Sequence, residues 1–402
     1  MSEKTTCAVV GGGPAGLFLG LMLARAGVEV TVLEKHADFL RDFRGDTVHP
    51  VTMRLLDELG LFTRFAELPQ SRVEKGEFEV DGSTYTLVDF RRLKQPHPYV
   101  AMVPQWDLLD LIADTAAAEP TFTLRMNTEA TGLLRDGGAA TGVRYTGPDG
   151  PGELHADLVV GCDGRTSVIR RDAGLPIREY PVPFDVLWFR LPREMDGQYS
   201  LIPRTKPGRA LIMIPREGYF QVAYLIPKGT DAALRARGLE AFHAELAELM
   251  PETSPAAITS WDDVKMLDVR LDRLGRWHDD GVLCIGDAAH AMSPVGGVGI
   301  NLAIADAVAA ADHLAEPLRT GRLTDKDLAA VRRRRIVPTV ATQTLQRVLH
   351  RQVLAPVLGG RQATPPAALL KAIERVPALT AVPAYLVGVG LLPQHAPDFA
   401  RR

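Results

Sequence analysis

Three short apolar runs, far apart in the chain, each end in a turn that contains glycine. The runs cover residues 7–10, 158–162 and 281–285, and each has the length and apolar content of a buried strand. The first turn leads into an amphipathic stretch at 17–26. This order predicts a strand, a tight turn and a helix at the start of the chain.

A second pattern, in the middle of the chain, predicts antiparallel strands. Two apolar runs between residues 208 and 227 flank Pro215-Arg216-Glu217-Gly218, which is typical of a hairpin with a longer loop. In the second run large apolar residues alternate with smaller or polar ones, as in a sheet that could wall a pocket. After Asn301 the pattern becomes helical, and residues 303–318 form the clearest predicted helix.

The positions of these elements predict an α/β fold with interleaved domains. The glycine turns lie near residues 11, 163 and 287, so a domain that uses all three must be assembled from separated pieces of chain. No internal repeat or long linker separates those pieces. We expect a Rossmann-like FAD-binding domain from residues 1–71, 100–175 and 268–318, a β-sheet substrate domain from 72–99 and 176–267, and C-terminal helices over 319–402.

Composition narrows the range of functions. The chain has 402 residues and a formal net charge of −3, which argues against nucleic acid or anionic lipid as a partner. Its three cysteines lie in the apolar runs and form no C-x-x-C pair, so we expect neither a disulfide nor a metal site. The N-terminus lacks the pattern of an export signal, which favours the cytoplasm.

Two C-terminal features bear on membranes and partners. The apolar stretch at 379–392 contains Pro383 and is too short to cross a bilayer, so we expect a buried helix or a subunit contact and no integral membrane segment. The protein is accordingly expected to be a monomer or a homodimer. The arginines at 332–335 are expected to form a solvated helix face.

The first glycine turn has the chemistry of a dinucleotide site. A helix N-terminus offers unpaired N–H groups and the positive end of a dipole to a pyrophosphate. Gly11 is expected to make the turn, Gly13 to admit the phosphates and Gly16 to let the helix pack on its strand. Glu34 ends the next predicted strand about 20 residues later, where a carboxylate binds ribose hydroxyls and repels a 2′-phosphate. The pattern favours FAD or NAD over NADP.

The other two turns indicate that the bound dinucleotide carries a flavin. Asp163 follows the second apolar run and Asp287 follows the third, where a carboxylate can bind the ribityl chain. Backbone N–H groups at the start of the helix near Asn301 would face the flavin N1–O2 edge, where negative charge gathers on reduction. A single FAD held at three places accounts for all three turns.

Three further short motifs lie outside the glycine turns, at Arg44-Gly45, His49-Pro50 and Pro104-Gln105. Together with the turns, they make the sequence resemble the class A flavoprotein monooxygenases of the para-hydroxybenzoate hydroxylase fold. The resemblance implies that Arg44 lies beside the flavin and the pyrophosphate, and that the Gln105 side chain helps to hold FAD. The family commonly has two prolines where this chain has Ser293-Pro294, and the resemblance gives Pro294 a flavin contact.

The resemblance also implies an activity. In this family NADH or NADPH docks transiently and reduces FAD, and O2 then gives a flavin C4a-hydroperoxide that oxygenates an electron-rich compound. The protein is therefore expected to hydroxylate an aromatic or polyketide-like small molecule. Arg44 and Pro294 are the candidate catalytic residues, and His290 is expected to be a structural hydrogen-bonding group. The residues expected to line the substrate pocket are Trp188, Tyr199, Met213 and Tyr224.

Three alternatives use the same cofactor fold. An FAD-dependent reductase or dehydrogenase would bind both nucleotides without oxygen transfer. A flavin-dependent halogenase is less favoured, because the chain has no Trp-x-Trp-x-Ile-Pro segment. A non-catalytic flavoprotein would act as a sensor or a partner module. The candidate cofactor-binding residues are Gly11, Gly13, Pro14, Ala15, Gly16, Glu34, Lys35, Arg44, Gln105, Asp163, Asp287, Pro294, Gly297, Gly299, Ile300 and Asn301.

Overall fold

An eight-stranded, mostly parallel sheet and a five-stranded antiparallel sheet form the two centres of the fold. The computed structural model describes residues 3–40, 46–80, 83–192, 203–216, 218–361, 372 and 375–402. The strands are β1 Glu3–Val10, β2 Val30–Leu33, β3 Thr47–Val48, β4 Ser71–Val73, β5 Lys75–Val80, β6 Ser83–Asp89, β7 Val100–Met102, β8 Phe122–Arg125, β9 Glu129–Asp136, β10 Ala139–Gly147, β11 Gly150–Gly161, β12 Ile177–Glu179, β13 Phe184–Pro192, β14 Pro203–Lys206, β15 Arg209–Pro215, β16 Tyr219–Pro227, β17 Lys265–Leu267, β18 Asp272–Leu274, β19 His278–Asp279 and β20 Val282–Cys284. The helices are α1 Pro14–Arg25, α2 Pro50–Glu58, α3 Phe62–Ala66, α4 Gln105–Ala117, α5 Val168–Asp172, α6 Asp231–Ala236, α7 Leu239–Leu249, α8 Gly299–Arg319, α9 Asp325–Leu349, α10 Ala355–Leu358 and α11 Ala381–Gly388.

The eight-stranded sheet confirms the expected Rossmann-like α/β fold. Its main path runs β19-β20-β11-β1-β2-β8, and all neighbours from β20 to β8 are parallel. Strands β9 and β10 extend it from β11 by antiparallel pairing. Val10 in β1 is paired with Leu33 in β2 and with Gly161 in β11, which is paired in turn with Cys284 in β20. The parallel strands therefore end at one level, and the glycine turns follow from that edge.

Burial explains why the apolar runs form strands. Cys7, Ala8 and Val9 in β1 are all 0% exposed. A strand covered on both faces needs such a continuous apolar run, whereas an alternating one would bury polar groups. Helix α1, buried along residues 15–24, covers the sheet and packs against α4 and α8.

The five-stranded sheet has the order β14-β15-β16-β13-β17 and is antiparallel throughout. It confirms the predicted hairpin, because β15 and β16 pair with each other up to Pro215 and Phe220. One face packs against α6 and α7. All five strands fall within residues 176–267. The boundaries of the expected domains stay a prediction.

The C-terminal region is helical, but its apolar stretch is not a buried helix. Within residues 379–392 the α-helix covers Ala381–Gly388, and Val382 and Tyr385 are 59% and 44% exposed. The expectation of a buried helix is therefore wrong. A subunit contact at this surface stays a prediction.

The arginine cluster at 332–335 also differs from the expectation. Arg333 and Arg334 are exposed, but Arg335 is 1% exposed and its Nε lies 2.8 Å from Asp306 Oδ1. The expectation of a solvated face is wrong for Arg335, because α9 packs along α8 and turns this residue towards it. A buried guanidinium requires such a partner.

In the part of the chain that the structure describes, one helical stretch, Val295–Arg319, is long and apolar enough to cross a membrane. Its most apolar window is 50% buried inside the protein. The corresponding helix α8 packs against both α1 and α9. Its place in the core accounts for its apolar composition.

Gly16 allows a test of the packing between β1 and α1. A Cβ atom on Gly16 would lie 2.0 Å from the carbonyl oxygen of Gly11, a main-chain atom that cannot rotate away. We expect Gly16→Ala to lower the free energy of unfolding by about 2 to 3 kcal/mol, measured by urea denaturation. Gly13→Ala is the control, because a Cβ there meets no described atom within 4 Å. Equal stability of the two variants would contradict this packing.

Candidate active site

The first and second glycine turns touch each other directly. The main-chain N–H of Cys162 donates to the carbonyl oxygen of Val10 at 2.7 Å. Gly11 has a φ of +105°, and a Cβ on it would lie 2.5 Å from the carbonyl oxygen of Cys162. Both its conformation and its surroundings therefore require glycine.

The third turn completes the contact. Gly286 has a φ of +59°, and a Cβ on it would lie 3.2 Å from the Cβ of Ala15, in the first turn of α1. Arg165, just after the second turn, donates from Nε to Asp287 Oδ2 at 3.2 Å. The structure thus brings together the three turns that the sequence selected, although their roles towards a cofactor stay predictions.

The segment that leads into α8 is joined to β3 and α2. Thr47 Oγ1 donates to the carbonyl oxygen of Gly297 at 2.8 Å, and a Cβ on Gly297 would lie 2.3 Å from that hydroxyl. Asn301 Oδ1 accepts from the His49 main-chain N–H at 3.2 Å and from Thr52 Oγ1 at 2.6 Å. Its Nδ2 donates to the carbonyl oxygen of Gly297 at 3.3 Å. The Asn301 side chain therefore shapes the loop.

Two helices begin where these turns meet. Pro14 and Ala15 open α1 after Gly13, and Gly299 and Ile300 open α8. Among the residues that the structure describes, neither N-terminus has a side-chain cap, and neither first turn contains an acidic residue. The space in front of Gly13 is open, as its lack of described neighbours shows. Free N–H groups and open space fit a phosphate at α1 and a negative charge at α8.

The acidic residue after β2 is fixed at the same edge. Glu34 is 7% exposed, and its carboxylate accepts from the main-chain N–H groups of Gly12 at 2.9 Å and His36 at 3.1 Å. This arrangement places a carboxylate beside the first turn, as a ribose site requires. Lys35, the next residue, is exposed.

Asp163 has an internal role that the sequence did not indicate. Its carboxylate accepts from the Ser167 hydroxyl at 2.5 Å and from the main-chain N–H groups of Val168 at 2.7 Å and Ile169 at 3.2 Å. Burial raises the pKa of Asp163, although these hydrogen bonds oppose the shift. The carboxylate therefore holds the start of α5, and its expected contact with the cofactor stays a prediction.

A buried network of charged side chains holds the third turn in place. Asp306 is 0% exposed. Its Oδ2 accepts from the Gly286 main-chain N–H at 3.1 Å and lies 2.6 Å from His290 Nε2. Its Oδ1 accepts from Arg335. Burial alone would raise the pKa of Asp306, but His290 and Arg335 outweigh it and hold that pKa below its usual value. His290 therefore makes a structural hydrogen bond, as expected.

Two charged residues that the sequence analysis did not select form an ion pair at the edge of this region. The side chains of Asp46 and Arg216 are 9% and 5% exposed and are in direct contact. Asp46 also accepts from the main-chain N–H of Gln105, and Arg216 lies 3.5 Å from Gln221 Oε1. Burial raises the pKa of Asp46, although the positive charge of Arg216 acts in the opposite direction. Arg216 lies in the predicted hairpin loop, but nothing in the sequence indicated that it pairs with Asp46.

The two faces of the five-stranded sheet separate the expected substrate residues. Trp188 and Ile212 pack against an apolar cluster that Val295 also contacts, and Ile214 and Ala223 lie on the same side of the sheet. We call these four sheet residues the site face. It also meets β7 and the end of α11.

Met213 and Tyr224 lie on the other face, where the Tyr224 hydroxyl donates to Glu245 in α7. Their expected place in the substrate pocket is therefore wrong, because α7 covers that face. Tyr199 and Arg44 lie outside the described residues.

Comparisons with known proteins identify the family. A family model described as FAD binding domain matches residues 4–344. The 6-methylpretetramide 4-monooxygenase of Streptomyces rimosus is 34% identical over 382 residues, which cover 94% of this chain and 91% of that protein. The 12-dehydrotetracycline 5-monooxygenase/anhydrotetracycline 6-monooxygenase of Streptomyces rimosus subsp. rimosus is 33% identical, with 75% of this chain and 60% of that protein covered. The solved structure of OxyS anhydrotetracycline hydroxylase from Streptomyces rimosus has a TM-score of 0.75 at 24% identity and covers 96% of this chain and 76% of that chain.

The sheet order and the likeness to this solved structure define an α/β fold built on a mostly parallel sheet. The match over most of the chain shows that it belongs to the family with this FAD binding domain. The protein is an FAD-dependent monooxygenase, as the resemblance of its motifs implied.

Asp287 is the residue of the third turn whose expected role is most easily tested. We expect Asp287→Ala to weaken FAD binding about tenfold or more, because a charged acceptor for the ribityl hydroxyls is lost. Fluorescence titration of the protein with FAD measures this. Asp279→Ala is the matched control, since Asp279 precedes the same turn, pairs with Arg276 at 3.0 Å and is comparably buried. Unchanged FAD affinity in Asp287→Ala would contradict the role.

Proposed function

We propose that the protein hydroxylates a polyketide-derived aromatic small molecule, with NADH or NADPH as the electron donor and O2 as the oxidant. The observation that carries the proposal is that the site face and the third glycine motif share one apolar cluster, because Trp188, Ile212 and Val295 all pack against it. A monooxygenase needs its substrate next to the cofactor in a place from which water is excluded. The relatives named for pretetramide and tetracycline substrates support a polycyclic aromatic compound.

The residues present fit FAD. The open N-terminus of α1 with Gly13 would take the pyrophosphate, Glu34 the ribose, Asp287 the ribityl chain and the start of α8 the flavin ring. When bound, FAD supplies the transfer of an electron pair from NAD(P)H to O2. The balanced reaction is substrate–H + NAD(P)H + H⁺ + O2 → substrate–OH + NAD(P)⁺ + H2O.

The contribution of the chain itself is electrostatic and steric. Free N–H groups at the start of α8 stabilise a nearby negative charge by about 1 kcal/mol, which favours a reduced flavin. The indole ring of Trp188 and the aliphatic side chains beside it offer a flat apolar wall. Such a wall would orient a planar substrate and exclude water that releases H2O2.

The proposal keeps the flavin contacts that the family resemblance implies for Arg44, Gln105 and Pro294. Gln105 opens α4 beside Asp46, and Pro294 lies partly exposed next to Val295, so both are near the turns. A cytoplasmic location, where NAD(P)H is supplied, and a monomeric or homodimeric state belong to the same proposal.

A labelled-oxygen experiment tests the reaction. Purified protein with FAD, NAD(P)H and ¹⁸O2 is offered polycyclic aromatic probes, among them 6-methylpretetramide and anhydrotetracycline. We expect a suitable probe to stimulate NAD(P)H oxidation and to gain a single ¹⁸O atom, measured by mass spectrometry. Stimulated oxidation with an unlabelled product would instead indicate a reductase or dehydrogenase of this fold.

A pair of variants tests which face of the sheet meets the substrate. Trp188→Leu should raise KM about tenfold, because part of the flat apolar wall is lost. Tyr224→Phe should leave KM unchanged and lower the free energy of unfolding by about 1 kcal/mol, since it removes one hydrogen bond on the covered face. Steady-state kinetics and urea denaturation measure the two effects. A larger change of KM in Tyr224→Phe would contradict the assignment of the faces.

A further inference from the structure

The loop between the third glycine turn and α8 is held by side chains of α9. Gln346 is 2% exposed. Its Oε1 accepts from the main-chain N–H of Ser293 at 3.2 Å, and its Nε2 donates to the carbonyl oxygens of Ser293 and Val295, both at 2.9 Å. One side chain therefore binds three main-chain groups on the two sides of Pro294.

His350 gives the loop a second anchor. It is 1% exposed, and its Nε2 lies 2.9 Å from Ser293 Oγ, which also accepts from the main-chain N–H of Val295 at 3.3 Å. Burial lowers the pKa of His350 to about 4. The imidazole is therefore neutral near pH 7, and its hydrogen bond to Ser293 does not change with pH in that range.

Gln343 fixes the start of the same loop. Its Nε2 donates to the carbonyl oxygen of Asp272 at 2.6 Å and to that of Ala291 at 3.2 Å. Residues three and four positions apart lie on one face of a helix, so Gln343, Gln346 and His350 form a continuous polar stripe. We call these three side chains the clamp.

The helix changes its geometry at the last residue of the clamp. A π-helical turn, His350–Leu354, follows α9, and such turns are rare and frequent at functional sites. Beyond it Val357 packs in the cluster that contains Phe184 and lies against Val295, and the His350 ring stands edge-on to Phe184 with centroids 5.2 Å apart. The chain that carries the clamp therefore touches both the loop and strand β13, which bears Trp188.

Burying the polar groups of the clamp costs free energy unless each of them is hydrogen-bonded. A buried polar group without a partner costs about 1 to 3 kcal/mol. An apolar stripe on α9 would fill the same volume, but the main-chain groups of Ser293 and Val295 would then lose their partners. The amide and imidazole groups therefore specify the conformation of this loop in addition to filling space.

We propose that Gln346 and His350 are positioning residues that fix Pro294 relative to bound FAD and substrate, and so keep NAD(P)H oxidation coupled to hydroxylation. The inference rests on the proposed function. In coupled turnover one oxygen atom of O2 enters the substrate and the other leaves as water. In uncoupled turnover the balance is NAD(P)H + H⁺ + O2 → NAD(P)⁺ + H2O2.

Gln346→Met tests the clamp, because it keeps the length of the side chain and removes all three hydrogen bonds. Gln352→Met is the matched control, since it makes the same change at an exposed position of the π-helical turn. In the FAD-loaded proteins, hydrogen exchange of the Ser293 amide, which donates to Gln346, should become about tenfold faster in Gln346→Met and stay unchanged in the control.

The functional readout is the amount of hydroxylated product formed per NAD(P)H consumed. We expect this ratio to fall about threefold or more in Gln346→Met, with H2O2 making up the difference, while FAD affinity and the rate of NAD(P)H oxidation stay within about twofold of wild type. Ser293→Ala and His350→Phe each remove the hydrogen bond between His350 and Ser293 and leave those of Gln346 in place. They should give a smaller loss of coupling, and they carry the test if Gln346→Met does not fold.

Faster exchange with unchanged coupling would overturn the inference, and so would unchanged exchange. A wild-type protein that forms no labelled product would contradict the proposed function instead.

Discussion

The parallel pairing of β1, β11 and β20 is the constraint on which the site depends. Each strand ends at the same edge of the sheet, so the turns that follow them meet although they are far apart in sequence. At that edge the carbonyl oxygen of Cys162 occupies the place where a Cβ of residue 11 would be. The pairing thus leaves uncapped helix N-termini and open space in front of α1, and we propose that the dinucleotide binds there.

The C-terminal helices belong functionally to this site. Helix α9 supports the third motif at two places: Arg335 binds Asp306, which holds the Gly286 main-chain N–H, and Gln346 holds the loop around Pro294. Both contacts are buried and polar, so they are strong only in one geometry. The C-terminal helical region therefore holds the third turn and the loop around Pro294 in place.

The sequence was sufficient where structure depends on local geometry. Gly11 and the apolar runs gave the turns and the parallel strands, because φ preference and strand burial are short-range properties. The sequence did not show which face of the second sheet Met213 and Tyr224 occupy, because β16 is buried on both faces and its pattern does not indicate which face packs against α7. Arg335 and Gln346 were missed because their partners lie on distant segments of the chain.

The flavin content of the purified protein tests the account most directly. Unfolding the protein and quantifying the released flavin by absorbance and mass spectrometry should give one FAD per chain and no other flavin. A correctly folded protein that stays colourless and empty in excess FAD would contradict the claim that the three turns form a single cofactor site.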